Sequence, residues 1–382
     1  MTRIAPRWLT DEATRAVMAA LAGACPLFVG GCVRDALMGR EAADVDICVR
    51  CPPERTVALL EGAGLGAVPT GLAHGTVTAV AQGRGFEVTT LRRDVATDGR
   101  RATVAYTEDV AEDAGRRDFT LNALYAQADG AVIDPLGGLD DLRAGRIRFI
   151  GDPHARIGED YLRVLRFFRF TAWFSRAGVD AAGLAACAAH VDGLALLSRE
   201  RVGHEMRRLL GAPDPAAALA AMEGCGVLAA VAHGANAGLI ARLVAAERAA
   251  GAAPAWPRRA AALGGGWADW RLSRAQQARL AAIVAARADP APPAARAHLH
   301  GIDAARDACL LDAAAQGAAP PPTLEAELAR GAAAALPVTA GDLMAAGVAP
   351  GPALGATLAR LRAAWVAQDF RPDRAALLAL AR

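Results

Sequence analysis

The sequence contains no lysine; all 42 of its basic side chains are arginine. Genome composition can impose such a bias, so it weighs little alone, although a planar guanidinium fork suits phosphates and base edges. Aromatic residues are scarce at 5%, and alanine dominates a hydrophobic fraction of 54%, which favours ordinary packed helices over a membrane protein. No stretch of about 18 apolar residues runs without a charge or a breaker, so no transmembrane helix is expected. The opening MTRIAPRWLTDEATR lacks an apolar h-region, so no signal peptide is expected either, and a cytoplasmic enzyme is the default. The net charge of +2 rules out a globally basic chain, so any contact with nucleic acid must come from a local surface. Of the seven cysteines only Cys48 and Cys51 form a CxxC, with no second pair or histidines at zinc spacing, which argues against a structural zinc. Free, mostly buried thiols are expected, with a redox role left open for that pair.

What is present is organised around Leu27–Val49, LFVGGCVRDALMGREAADVDICV. An apolar strand meets Gly30-Gly31, a short helix follows, and a second strand, Val45–Val49, alternates Val45, Ile47 and Val49 with Asp44, Asp46 and Cys48. Period-two geometry puts the apolar side chains on one face and both carboxylates on the other. A Gly-Gly turn before a helix lets the backbone approach a phosphate, with Arg34 adding positive potential. Aspartates two apart on a strand can converge on two metal ions about 3.5–4 Å apart. Either feature alone is ordinary; one short helix brings the two side by side. Glu87, in the strand-like FEVTT, is either a third carboxylate or a solvated strand residue.

At 382 residues the chain suggests two or three domains. Thr10 is placed to cap a helix through about Gly23, Pro52-Pro53 starts another to about Leu60, and His74–Val80 with Phe86–Leu91 reads as a hairpin. Arg92–Gly115 is polar and too long for an idle connector, so a working loop is expected. RRDFTLNALY reads as a short helix, with Asp118 as a cap and Arg117 beside it within reach of a nucleotide. Strand signals nearly vanish beyond Pro135. Helices are expected over Glu159–Phe174, Arg199–Leu210 with Ser198 as cap, and Pro215–Glu223, then onward through alanine-rich segments with prolines at 290–293 and 320–322 marking loops. In EDYLRVLRFFR, Asp160, Arg163, Arg166 and Arg169 recur every third residue, a slanting stripe on a helix. Such a stripe is either a solvated face or a surface for phosphates and base edges.

GGCVRDALMG…DVDI, HGTVTA, FEVTTLRRDVATDGR, RRDFTLNAL, DPLGGLDDLRAGRIRFIGD, EDYLRVLRFFRF and SRERVGHEM, in this order over roughly Leu27–Leu210, resemble the class II tRNA nucleotidyltransferases, the CCA-adding enzymes. TAGDLMAAGVAPGPALG near the C-terminus looks like that family's tail. The resemblance implies an α+β fold: a polymerase-β-like palm as head (1–137), then an all-helical neck with the base-selecting helix (138–211), body (212–336) and tRNA-contacting tail (337–382). It implies that Asp44 and Asp46 bind catalytic Mg²⁺, with Glu87 as third palm carboxylate, and that Gly31, Arg34 and Arg117 hold the nucleotide. Asp160 and Arg163 would present a Watson–Crick-like edge to cytosine or adenine, extended by Arg166 and Arg169. The implied partners are tRNA, CTP and ATP, with no membrane and no obligatory protein partner. Bacterial poly(A) polymerases and A-only or CC-only enzymes share the head motifs, but HGTVTA, the intact 92–115 segment and the lack of a basic tail after residue 370 lean toward full CCA addition. A non-catalytic RNA-binding protein on the same scaffold is disfavoured by the coexistence of both aspartates and the arginine stripe.

Overall fold

In the computed structural model, residues 2–98 and 101–381 are described. The chain divides into two units, Met1–Glu205 with Ala217–Ala230, and Met206–Ala216 with Val231–Arg382.

In the first unit, seven strands make one mixed sheet in the order β3-β4-β5-β2-β1-β8-β9: β1 Leu27–Val29, β2 Ile47–Val49, β3 Gly66–Gly71, β4 Thr76–Ala81, β5 Arg84–Thr90, β8 Tyr125–Ala126 and β9 Val132–Ile133. β2 runs parallel to β5, with Ile47 opposite Val88, while β1 is antiparallel to both β2 and β8. The β4–β5 hairpin forms where the sequence places it, and β8 and β9 pair about the Asp129-Gly130 turn. β3 escapes sequence reading because Pro69 interrupts it and most of its side chains are exposed, as suits an edge strand. The 92–115 segment is not a loop. It forms a separate hairpin, β6 Arg92–Asp98 with β7 Arg101–Tyr106, whose Gly99 and Arg100 lie outside the described residues, followed by a helix. Its mixture of charges with Val, Thr and Tyr reads as loop by polarity but carries strand propensity.

Helices of this unit are α1 Arg7–Thr10, α2 Glu12–Ala20, α3 Gly31–Leu37, α4 Pro53–Gly62, α5 Val110–Gly115, α6 Gly138–Ala144, α7 Pro153–Glu159, α8 Leu162–Phe174 and α9 Ala181–Ala189, with α10 Arg199–Leu210, α11 Ala216–Gly224 and α12 Val227–Val231 next in the chain. Asp11, not Thr10, occupies the N-cap position of α2. Asp152 caps α7, and Ser198 accepts the Arg201 N–H as expected. The DPLGG motif has a local explanation. Asp134 takes the N–H groups of Gly138 and Leu139 at 2.8 and 2.9 Å, and Gly138 lies so close to the Thr120 carbonyl that no Cβ fits. α8 is fixed by aromatic packing: Phe167 and Phe170 meet Phe119 and Phe149 with ring centroids 5.1–6.4 Å apart, and all four rings are buried. Buried aromatics of this size contribute about 2–3 kcal/mol each through area alone.

The second unit is helical among its described residues: α13 Ile240–Ala249, α14 Trp256–Leu263, α15 Arg274–Ala288, α16 Pro293–His300, α17 Ile302–Gln316, α18 Leu324–Ala333, α19 Ala340–Ala345, α20 Pro352–Ala367 and α21 Arg374–Leu380. Pro290 and Pro292 fall between α15 and α16, with Pro293 opening α16, and Pro320–Pro322 fall between α17 and α18. Val338, Leu343, Leu361, Trp365 and Leu377 form a hydrophobic cluster within residues 337–382. No helix among the described residues is long and apolar enough to cross a membrane.

Candidate active site

The strand-to-helix turn is built by Gly30, whose φ of 75° and ψ of −120° are costly for any residue with a Cβ. Its N–H is anchored on the Leu124 carbonyl at 2.9 Å. A Cβ at Gly30 would stand 3.5 Å from Arg117 Nη1, and one at Gly31 would stand 3.8 Å from Arg34 Nη2, so two guanidinium groups border the bare backbone. Arg34 is buried beneath the turn, 4.2 Å from the Phe174 ring centroid. It donates through Nε to Asp35 at 2.9 Å and through Nη1 to Asn122 at 2.7 Å. Burial pulls its pKa down, offset by Asp35.

The two aspartates lie just before β2 and not within it, a correction to the alternating strand expected over Val45–Val49. β2 is three residues long and all three side chains are buried, so Cys48 faces core where the alternation predicted a carboxylate face. Pairing nevertheless reaches back one residue, since Val29 N–H donates to the Asp46 carbonyl at 3.0 Å. The register that sets Ile47 against Val88 sets Asp46 beside Glu87. Burial first, then the charges of Glu87 and Asp44, raise the Asp46 carboxyl to about 6, and Arg117 opposes them. Asp46, with the charges of Asp44 and Glu87 acting on it, belongs to an oxygen-only donor set suited to a hard divalent cation. Among the described residues, no group of three His, Cys, Asp or Glu closes into a metal cage. Mg²⁺-type sites commonly use one or two carboxylates and take their remaining ligands from substrate phosphates and water.

A chain of side chains runs from the turn to α8. Arg34 donates to Asn122, Asn122 Nδ2 donates to Asp118 at 3.0 Å, and Arg166 Nε donates to the other Asp118 oxygen at 2.6 Å. Asp118 also accepts the Phe119 N–H at 2.9 Å, but Phe119 holds the N-cap position of the turn that follows, with no side-chain cap bond, so Asp118 is structural without being the expected cap. The segment around it is a 3₁₀ turn, Thr120–Asn122, leading into β8, in place of the short helix expected for RRDFTLNALY.

The expected continuous helix over Glu159–Phe174 is broken. Asp160 is extended (φ −156°, ψ 107°) between α7 and α8, because an aspartate competes better as a cap than as a helix interior. One Asp160 oxygen accepts the Leu162 N–H at 3.0 Å; the other accepts Arg201 Nη2 at 2.6 Å. Arg163 donates to the Arg156 carbonyl at 2.7 Å, to Glu159, and to the Arg116 carbonyl at 3.3 Å, which sets it next to Arg117 in the chain. The arginine stripe is thus relieved by carboxylates: Glu159 for Arg163, Asp118 for Arg166 and Glu205 for Arg169. Arg169, with its side chain 5% exposed, braces α8 against α10 through Glu205 and offers no open surface. The structure brings together Gly31, Arg34, Arg117, Asp44, Asp46 and Glu87, and joins Asp160, Arg163 and Arg166 to them through protein contacts.

Asp113, Tyr125, Asn122 and Arg201 are site-supporting residues that sequence reading missed. Asn122 and Arg201 fall inside quoted motifs. Asp113 has no spacing signal that separates it from Glu108, Asp109 and Glu112.

Residues 27–148 match the family described as Poly A polymerase head domain. The chain is similar to CCA tRNA nucleotidyltransferase 1, mitochondrial, of Danio rerio, 41% identical over 187 residues that cover 47% of this chain and 43% of that protein. It is similar to the CCA-adding enzyme of Levilactobacillus brevis, 41% identical over 190 residues that cover 49% and 47% of the two. The matched stretch therefore spans less than half the length of these curated relatives. Among solved structures, the Bacillus stearothermophilus CCA-adding enzyme in complex with CTP superimposes with a TM-score of 0.78 at 29% identity, covering 99% of this chain and 97% of that one. These matches bear out the resemblance carried by the ordered motifs and the fold of palm head followed by helices.

Proposed function

We propose that this chain, a poly(A) polymerase-type head domain on the architecture of CCA-adding enzymes, adds C, C and A to the 3′ end of tRNA from CTP and ATP without a nucleic-acid template. The observation that carries the reading is Arg117. Its Nη1 borders the Gly30 turn while its charge acts on Asp46, so a phosphate-binding turn and a carboxylate cluster share one cationic group. Gly31 and the Arg117 guanidinium would receive the triphosphate, with the buried Arg34 supplying fixed positive potential from behind. Asp44 and Asp46, with Glu87, would hold Mg²⁺. When bound, that ion supplies activation of the 3′-OH and charge neutralisation at the α-phosphate and the departing pyrophosphate.

Base choice is assigned to Asp160 and Arg163. A carboxylate accepts from the exocyclic amine that cytosine and adenine share, whereas uracil and guanine present a carbonyl there. Arg201 Nη2 donates to that carboxylate at 2.6 Å and fixes its orientation. Arg166 would extend this site through Asp118, whereas the buried Arg169, expected as a nucleotide contact, serves only as the brace behind it. The 92–106 hairpin is a candidate for the element that moves between C and A addition, and residues 337–382 for a tRNA-contacting tail. A cytoplasmic location is part of the same proposal.

Asp44→Ala and Asp46→Ala test the reading: each should abolish nucleotide transfer while tRNA binding, measured by filter retention, stays within about twofold. Transfer that survives in either variant would remove the metal assignment.

A further inference from the structure

Asp113 is 1% exposed and gathers the donors around Arg117. One of its oxygens accepts from Arg116 Nε at 2.9 Å and from the Arg92 backbone N–H at 3.3 Å. The other accepts from Arg117 Nη2 at 2.9 Å and from the Tyr125 hydroxyl at 2.7 Å. Arg117 Nε is shared between Asp113 and the Tyr125 oxygen at 3.2 Å each. Two of the three guanidinium nitrogens are therefore fixed, and the third, Nη1, is the one beside Gly30. A free arginine samples many rotamers, so ordering it before a ligand arrives removes that cost from binding.

We propose that Asp113 and Tyr125 are positioning residues that aim Arg117 at the phosphate turn, and so set the affinity for the triphosphate of either nucleotide without touching the nucleotide themselves. This rests on the reading of the Gly30-Gly31 turn as the triphosphate site. The charge balance suits the role. Burial would raise the Asp113 carboxyl, but Arg117 and Arg116 outweigh it and hold it down at about 2. Burial also drives the Tyr125 phenol far above its ordinary range, so it stays a donor. Because Arg117 is directed to the turn and not to Asp160, the effect should be blind to the base.

Tyr125→Phe removes one hydroxyl and leaves Asp113 between both arginines. KM for CTP and for ATP should rise together by about three- to tenfold. The inhibition constant of inorganic triphosphate should rise by the same factor, with KM for tRNA and the order of C and A addition unchanged. Asp113→Asn should act in the same direction and more strongly; if circular dichroism shows it unfolded, Tyr125→Phe carries the test. In an Arg117→Ala background, Tyr125→Phe should change nothing further, since its effect runs through the guanidinium. An unchanged KM in folded Tyr125→Phe, or the same increment in the Arg117→Ala background, overturns the proposal. If the wild-type chain transfers no nucleotide, the functional reading fails by itself. Calorimetric binding of inorganic triphosphate to the same variants then decides the positioning claim.

Discussion

Asp44, Asp46 and Arg117 stand out in the sequence because their types and spacings belong to a chemistry: paired carboxylates after a glycine turn, and an arginine doublet ahead of an aspartate. Asp113 does not stand out, since its role comes from Tyr125, twelve residues away, and from Arg92, twenty-one residues back. Its electrostatics nevertheless give a pH prediction. A carboxyl held at about 2, below its ordinary 3.8, contributes stability that is fully present above the unfolded value and lost as pH falls toward 2. A shift of this size is worth about 2 kcal/mol. Asp113→Asn should be less stable than wild type at pH 7, and denaturant titrations should find that gap shrinking by about that amount between pH 5 and pH 2. A gap independent of pH would mean that Asp113 carries no such charge pairing.

At the scale of elements, periodicity predicted those helices and strands whose buried face is regular and failed where a polar residue took a local role. The 159–174 segment has helical spacing throughout, yet Asp160 breaks it because its carboxylate captures the Leu162 N–H. The break is what lets Asp160 face Arg201 instead of joining the stripe on α8. Asp160→Ala should accordingly relax base choice, with measurable incorporation from UTP or GTP, and should also cost about 1 kcal/mol from the lost bond to the Leu162 N–H. Incorporation restricted to C and A in that variant, followed by sequencing of the extended 3′ ends, would remove Asp160 from base selection. The 92–106 hairpin was unreadable for the opposite reason: its charges hid strand propensity.

Across the whole molecule, legibility follows chemistry more than mass. Residues 27–210 carry a dense set of motifs, whereas between Gly211 and Leu336 the sequence offers alanine-rich helices and little else. The structure shows what holds part of that region. Arg258 and Arg259 are both buried on Glu247, Arg258 also reaches Asp307, and Arg259 donates to the Leu210 carbonyl at 2.7 Å. No sequence pattern marks such a cluster, because its members come from α13, α14 and α17. Arg259→Met would leave Glu247 and the carbonyls it serves short of a donor and should destabilise the second unit by about 3–5 kcal/mol, read as a loss of melting temperature. A melting temperature within a degree of wild type would mean the cluster is not a structural anchor.

The central claim, that protein side chains and not a template choose C, C and then A, is tested most directly by the products themselves. The purified chain is incubated with tRNA ending at the discriminator base, and separately with tRNA ending in CC, each with CTP, ATP or both, and the 3′ ends are sequenced. The account predicts two cytidines and then one adenosine on the first substrate when both nucleotides are present, a single adenosine on the second, and arrest after two cytidines with CTP alone. A run of adenosines on either substrate, or no extension at all, would contradict it.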